Sequence, residues 1–252
     1  TTRERVIPDP RQKSTLREDL KDVFTCGPWL VMFILTLLVF TTLVLRGSSL
    51  NYYFAYYLDQ GHIRAFLDQV GLTAIGAGET VTGWKSALAA LGLLVKADGS
   101  NAAGVGLSFF LVSGTLIQIV GIIFSKPLAD RFGKKAVFIV GMSVATVATA
   151  LIFFVPRDSM NLLFAVAMLW PLGWGPTVPL LWVMIADVAD YSEWKNFRRA
   201  TAFMYAGVLF ALKAGLGLGG FLSGALIGLY GYVPNVAQSA HTILGIRLCA
   251  TL

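Results

Sequence analysis

Long apolar stretches with at most one charged residue each dominate this sequence and restrict what it can fold into. Five are complete, and a sixth begins near His241 and continues to Leu252. They cover approximately residues 28–45 (with a continuation to 57), 105–125, 136–155, 162–185 and 201–229. A helix that crosses a bilayer needs roughly 20 mostly apolar residues. The runs therefore predict an all-α, polytopic membrane protein, in agreement with a charged fraction of only 13%.

The two ends of the chain predict that it is a fragment. The sequence starts on Thr1 with a polar stretch, and its sixth apolar run is only 12 residues long. We therefore expect further sequence before Thr1 and after Leu252. Residues 1–22 predict a solvated connector, and residues 23–252 predict a transmembrane bundle.

The basic residues predict an orientation. Thirteen of the 20 Lys and Arg residues fall in segments 1–22, 126–135 and 195–199, and four fall in the opposite connections. Cytoplasmic loops carry such an excess, so the N-terminal segment is expected in the cytoplasm. Topology thus explains the net charge of +6, and no nucleic-acid partner is needed.

The connection 59–104 is long for a helical bundle. Its stretch GWKSALAALGLLV predicts a short amphipathic helix on the outer face. The connection is interpreted as an insertion or as a lid. Just before it, Asn51 and the tyrosines at 52, 53, 56 and 57 predict an aromatic belt at the membrane interface.

Glycine and proline distinguish two of the runs. Glycines at 215 and 219, and at 220, 224 and 228, are four residues apart, a spacing that lets helices approach closely in lipid. The fourth run contains prolines at 171, 176 and 179, and proline kinks or interrupts helices. Interrupted membrane helices line cavities or are buried in protein, so this run is a candidate wall of a translocation path.

Lys213 is the single charge in the stretch FMYAGVLFALKAGLGLGGFLSGALIGLYG. It is about 18 Å along a helix axis from Thr201, too far for its side chain to reach the membrane surface. A lysine at the centre of a span costs roughly 3 kcal/mol. No Asp or Glu lies at that depth in the five runs. Lys213 is therefore predicted to face a hydrated cavity and to meet a carboxylate or a polar solute; the alternative is a tolerated lysine bound to a backbone carbonyl.

Two charged segments follow apolar runs. The first, SKPLADRFGKK, places Asp130 and Arg131 before Gly133, which permits a tight turn. The second, MIADVADYSEWKNFRRA, places three carboxylates at three-residue spacing before a basic group. These carboxylates are Asp187, Asp190 and Glu193, and the basic residues include Arg198 and Arg199. Taken alone, each segment is interpreted as a run of solvated charged residues at the end of a helix.

Both segments resemble signatures of a known family. SKPLADRFGKK resembles the signature loop of the major facilitator superfamily. MIADVADYSEWKNFRRA resembles the segment after the tenth helix of its glycoside–pentoside–hexuronide:cation symporter branch. The similarity includes LKDVFTCGPWL, Tyr205, Lys213 and YGYVPNVAQSA, and therefore covers nearly the whole chain except 59–104.

The resemblance implies the C-terminal half of a twelve-helix carrier, namely helices seven to eleven and the start of twelve. It implies symport of a sugar, glycoside or hexuronide with Na+ or H+ across the bacterial inner membrane. The N-terminal half of the same transporter would be a partner and would hold most of the cation site; no other cofactor is expected. The charged segments would form a cytoplasmic gate, and Lys213 would couple cation and sugar.

Other candidate site residues are less specific. Trp170, Trp174 and Thr177 share one helical face, which is suited to a sugar ring or to an interfacial anchor. Arg46 is predicted to serve in gating or in interface pairing. Two positions depart from the melibiose branch: Leu209 replaces a threonine, and Val178 replaces a sugar-contacting tryptophan whose place Trp174 would take.

The sequence therefore predicts a cation-coupled secondary transporter. Two alternatives stay open: a non-transporting sensor or scaffold on a transporter fold, and a major facilitator carrier for a non-sugar solute. An enzyme is not expected, because His62 and His241 lie apart from any set of acid, base and nucleophile at one depth.

Overall fold

The computed structural model describes residues 16–73, 83–96, 98–196 and 200–251, and their regular structure is almost entirely helical. The α-helices are α1 (Leu16–Thr25), α2 (Gly27–Tyr52), α3 (Gln60–Gln69), α4 (Trp84–Ala90), α5 (Ala102–Phe132), α6 (Lys134–Ile152), α7 (Met160–Ala167), α8 (Leu169–Asn196), α9 (Thr201–Leu229) and α10 (Ala240–Thr251). A π-helical turn, Tyr53–Tyr57, extends α2. One isolated parallel bridge joins Thr73 to Val95.

Five helical segments in the described ranges are long and apolar enough to cross a membrane. They are Gly27–Tyr57, Ala102–Phe132, Lys134–Ile152, Met160–Asn196 and Thr201–Leu229. Each coincides with one of the five predicted runs, so the all-α, polytopic membrane fold is confirmed. The sixth run forms α10.

The fourth segment differs from its prediction. The apolar run predicted a span that ends near residue 185, but α8 continues to Asn196. Asp187, Asp190 and Lys195 of this extension are exposed, so the helix continues beyond the apolar run as a polar helix end.

The fourth segment is interrupted at Met168, between α7 and α8, whereas Pro176 and Pro179 lie inside α8. Each proline removes only one backbone hydrogen bond. The helical turns before and after it keep their hydrogen bonds, so α8 continues through both prolines.

The described residues fall into two compact units. The first contains the described residues up to Leu43 and residues 180–219, and the second contains residues 44–179 and the described residues from 220 onward. Helices α2, α8 and α9 each contribute residues to both units.

In the first unit, glycines let α9 pack closely on the first half of α2. The indole Nε1 of Trp29 donates a hydrogen bond to the carbonyl oxygen of Met204 over 3.0 Å. Gly207 lies under that indole, where a Cβ would come within 2.5 Å of a ring carbon. Gly215 lies against the backbone of Leu37. The predicted close approach of this helix is confirmed at these positions.

In the second unit, glycines pack α8 against both α5 and α6. A Cβ on Gly173 would come within 2.5 Å of the carbonyl oxygen of Gly141 in α6. A Cβ on Gly175 would come within 2.7 Å of the carbonyl oxygen of Gln118 in α5. The backbones of three membrane-crossing helices therefore meet where α8 carries its glycines.

An aromatic core in the second unit fixes the 59–104 segment. Ile63 and Leu67 of α3 are 0% exposed and join a cluster that includes Phe54, Phe110 and Phe164. The segment is thus packed against the bundle through α3. Tyr53 belongs to the same cluster with 1% exposure, so the prediction of an interfacial belt is wrong for this tyrosine.

The helix predicted within the 59–104 segment is α4, and α3 is an addition to that prediction. Asp59 caps α3, because its carboxylate accepts hydrogen bonds from the backbone N–H of His62 at 3.0 Å and from its Nδ1 at 2.8 Å. These bonds, the side-chain bond foremost, hold the pKa of the Asp59 carboxyl below its usual range. In α4, by contrast, no residue is buried; Trp84 at its start and Leu91 just after its end are exposed.

Candidate functional site

Lys213 lies on the face of α9 that points away from α2 in the first unit. The packed face of α9 consists of Met204, Val208, Ala211 and Gly215, all buried. Nine residues separate Met204 from Lys213, which is a half-turn about the helix axis at 3.6 residues per turn. Accordingly, the side chain of Lys213 is exposed.

The neighbours of Lys213 on its side of α9 are apolar and exposed. Leu209 and Phe210 lie about one turn before it, and Gly217 lies about one turn after it; all three are exposed. A Cβ on Gly217 would meet no atom within 4 Å. This face therefore presents a positive charge among exposed apolar side chains, with open space at Gly217.

Tyr205 is not brought next to Lys213. The two residues are eight positions apart on α9, or about 12 Å along the axis. Tyr205 is partly buried, whereas Lys213 is exposed. Any shared role therefore requires a ligand that spans this distance.

The second unit contains a stack of planar side chains from α2 and α8. The guanidinium carbon of Arg46 lies 4.6 Å from the centre of the Trp170 indole. The indoles of Trp170 and Trp174 are stacked, with centroids 5.7 Å apart and planes at 11°. We call these three residues the Arg46 stack. The sequence pointed to each residue separately, but the contact between Arg46 and Trp170 depends on how α2 and α8 pack.

Thr177 serves packing in this conformation. It is 1% exposed, and its hydroxyl donates a hydrogen bond to the carbonyl oxygen of Trp174 over 2.7 Å. Its methyl group lies against Gly141 of α6. A direct contact between Thr177 and a solute would therefore require α6 and α8 to move apart.

The first charged segment ends α5. Asp130 and Arg131 are exposed, and the guanidinium of Arg131 lies 5.2 Å from the ring centre of Phe132. Gly133 has a φ of +85°, which confirms the predicted tight turn. Within the part of the chain that the structure describes, no ion pair joins Asp130 to Arg131.

The second charged segment ends α8. Asp187 and Asp190 are exposed, and Glu193 is partly buried. Arg198 and Arg199 lie outside the described residues. The predicted pairing between the acidic and basic parts of this segment therefore stays a prediction.

The described ranges contain no cluster of three His, Cys, Asp or Glu side chains that could hold a metal ion. The two cysteines, Cys26 and Cys249, are buried and are not joined by a disulfide. In these ranges the site chemistry consists of isolated cations, aromatic rings and helix-end carboxylates.

Comparison with known proteins finds relatives that are described as transporters and symporters. Residues 98–252 match the family described as "MFS/sugar transport protein". The inner membrane symporter YicJ of Escherichia coli is 28% identical over 96% of this chain and 44% of its own length. The putative glycoside/cation symporter YagG of the same organism is 24% identical over 97% of this chain and 44% of its own length.

A third relative is similar over a shorter stretch. The glucuronide carrier protein homolog of Escherichia coli is 30% identical over 57% of this chain and 32% of its own length. YicJ and YagG each match nearly the whole of this chain, and the chain spans about 44% of the length of each of these curated relatives.

Proposed function

Because the chain belongs to the MFS/sugar transport protein family, a family of membrane transporters and not of enzymes, we propose that it forms the C-terminal half of a cation-coupled carrier. The carrier would move a sugar, glycoside or hexuronide together with Na+ or H+ across the bacterial inner membrane. Relatives of this family described as symporters support the coupling. In this proposal residues 1–22 are a cytoplasmic connector, and 23–252 are helices seven to eleven and the start of twelve.

The observation that carries the proposal is the position of Lys213. It is exposed in the middle of a membrane-crossing helix, opposite the face that packs on α2. A lysine there costs roughly 3 kcal/mol unless its charge is compensated. We infer that negative groups from the N-terminal half compensate it. Binding of a cation to those groups would then change the affinity of the carrier for the solute. This coupling between the two ligands is what symport requires.

The position of Lys213 on the exposed face of α9 also supports a mechanism of alternating access. In this mechanism two six-helix halves rock about a site near the bilayer midplane. We propose that Trp174 and Thr177 line that site once α8 moves apart from α6, and that Tyr205 of α9 contributes to solute binding.

The charged helix ends fit a gate on the cytoplasmic side. Asp130, Arg131, Asp187 and Asp190 are exposed at the ends of α5 and α8. We propose that they, together with Glu193, Arg198 and Arg199, form ion pairs when the carrier is open to the outside. Surface ion pairs contribute only about 0–1 kcal/mol each, so such a gate can open during every cycle.

The experiment that tests the proposal removes the charge of Lys213. The carrier containing this chain is reconstituted in proteoliposomes, and uptake of methyl glucoside and methyl glucuronide is measured with and without a Na+ or H+ gradient. Lys213→Ala is expected to lower gradient-driven accumulation by more than about tenfold, the effect of 1.4 kcal/mol. Lys96→Ala, which alters an exposed lysine of the 59–104 segment, is the control and should transport normally.

Two outcomes would contradict this proposal. A well-inserted Lys213→Ala carrier with normal gradient-driven accumulation removes the coupling role. An unaltered carrier that binds a probe but never accumulates it with either cation favours the alternative of a sensor or scaffold on a transporter fold.

A further inference from the structure

The Arg46 stack places a charge deep within a membrane-crossing segment. Arg46 lies 11 residues before the end of that segment at Tyr57, or about 16 Å along the axis. This distance exceeds the reach of its side chain. The guanidinium instead lies over the Trp170 indole, which in turn stacks on Trp174.

Arg46 has no counter-ion within the part of the chain that the structure describes. It makes no hydrogen bond there, and its Nε is buried without a partner. The described acidic residues of the second unit lie in the 59–104 segment, at the end of α5 and after α6; they are Asp59, Asp68, Asp98, Asp130 and Asp158. None forms an ion pair with Arg46. A cation–π contact compensates only part of the cost of a charge at membrane depth.

In the Arg46 stack, Trp170 covers one face of the Arg46 guanidinium, and the edge of the guanidinium stays available to a ligand. Stacking occupies the face of this planar group, whereas its N–H donors point outward in its plane. The resulting fork matches the two oxygens of a carboxylate or a sulfonate. Trp174 is 9% exposed, so its indole offers little surface to a sugar ring. Its contact with Trp170 instead supports the indole that holds the guanidinium.

We propose that Arg46 binds the anionic group of the transported solute, so that this carrier prefers a carboxylated or sulfonated sugar to a neutral one. Trp170 is a positioning residue that holds the guanidinium by its face. This inference rests on the proposed function, because it assigns the charge of the solute in the same carrier.

Two probes that differ only at one group test this inference. Methyl glucuronide carries a carboxylate where methyl glucoside carries a hydroxymethyl group. Affinity for each is measured by calorimetry on the carrier in phosphatidylcholine vesicles. We expect the glucuronide to bind more tightly. Arg46→Gln should lower the affinity for the glucuronide by about tenfold to a hundredfold more than the affinity for the glucoside.

Three further variants separate recognition from general damage. Arg46→Lys keeps the charge but loses the planar fork, so it should retain only part of the preference. Trp170→Phe keeps Arg46 on a smaller ring and should also reduce the preference in part. Arg157→Gln removes an exposed arginine after α6 and should leave both affinities unchanged.

Several results would overturn the inference. They are equal affinity for the two probes, binding of neither probe, and an equal loss of both affinities in Arg46→Gln. A preference that disappears when the vesicles contain phosphatidylglycerol would assign the guanidinium to a lipid phosphate and would also overturn it.

Transport measurements distinguish this failure from failure of the proposed function. If the gradient drives accumulation of methyl glucoside as well as of methyl glucuronide, with equal affinities, only the inference about Arg46 fails. If the carrier binds methyl glucuronide preferentially but neither gradient drives its accumulation, only the proposed symport fails.

Discussion

At the scale of single residues, Gly215 and Gly217 lie two positions apart on α9 but have different surroundings. A Cβ on Gly215 would come within 2.6 Å of the carbonyl oxygen of Leu37 and 3.2 Å of the backbone N of Thr41. A Cβ on Gly217 would meet no atom within 4 Å. Gly215 is therefore required by the packing of α9 on α2, whereas Gly217 is not required by any described contact.

These two positions give a matched pair of variants. Gly215→Ala is expected to destabilise the protein by about 1–3 kcal/mol, because backbone atoms of α2 must move. Gly217→Ala should be neutral or should stabilise by up to about 1 kcal/mol, because alanine favours the helix. Thermal unfolding in detergent measures both. Equal effects of the two substitutions would show that α9 does not pack on α2 through Gly215.

The sequence predicted that glycines of this helix are packing residues but not which of them make contact. Gly215 lies in a close contact, whereas Gly224 and Gly228 meet no atom within 4 Å of an added Cβ. Four-residue spacing identifies a face of a helix. It does not identify the neighbour, because that depends on residues of α2 that are more than 170 positions away.

At the scale of elements, one arginine ties α10 to the rest of the second unit. Nη2 of Arg247 donates a hydrogen bond to the carbonyl oxygen of Phe153 over 2.6 Å. Its guanidinium lies 4.5 Å from the ring centre of Phe153 and 4.7 Å from that of Tyr57. α10 is thus linked both to the π-helical turn after α2 and to the end of α6.

Loss of this link should weaken the attachment of α10. Arg247→Ala removes a hydrogen bond from a charged donor, which is typically worth about 1.5–3 kcal/mol, and should lower the thermal unfolding temperature. Arg157→Ala is the control, since this side chain is exposed. Hydrogen exchange of the α10 amides should rise in Arg247→Ala alone; unchanged exchange would mean that the apolar contacts of α10 suffice.

The elements themselves were largely predictable, and their contacts were not. Hydropathy located all five membrane-crossing segments, because each needs enough apolar length to span the bilayer. It missed α3 as a separate helix, because only ten residues form it and its buried face consists mainly of Ile63 and Leu67. Likewise, the contact between Arg46 and Trp170 joins residues 124 positions apart in sequence. Periodicity within one helix contains no information about such a pair.

At the scale of the whole molecule, the surface character agrees with a protein embedded in lipid. Along α5, large apolar side chains such as Leu116, Ile123 and Phe124 are more than half exposed. In water such a surface would favour association, but in a bilayer it is the expected lipid contact. The polar positions of the site are few against this background, which is why Lys213 and Arg46 were recognisable from sequence alone.

The orientation of the molecule in the membrane is a prediction that follows from its basic residues. Thirteen of 20 Lys and Arg residues lie on the side assigned to the cytoplasm, and positively charged loops remain on that side during insertion. Residue 85 in α4 should therefore be reached from outside the cell, and residue 135 at the start of α6 should be reached from the cytoplasm. Lys135 is exposed and Lys85 is partly exposed, so a cysteine at either position is accessible to a reagent on its own side.

Lys85→Cys and Lys135→Cys test this orientation with a membrane-impermeant maleimide on intact spheroplasts. Lys85→Cys should react at once, whereas Lys135→Cys should react only after the membrane is permeabilised. The unsubstituted protein is the control, and it should stay unlabelled because Cys26 and Cys249 are 2% and 6% exposed. The reverse pattern would invert the assignment of the charged helix ends to the cytoplasmic side. The proposed cytoplasmic gate rests on that assignment, so the gate would have to be abandoned. The contacts of Lys213 and Arg46 within their own units would be unaffected.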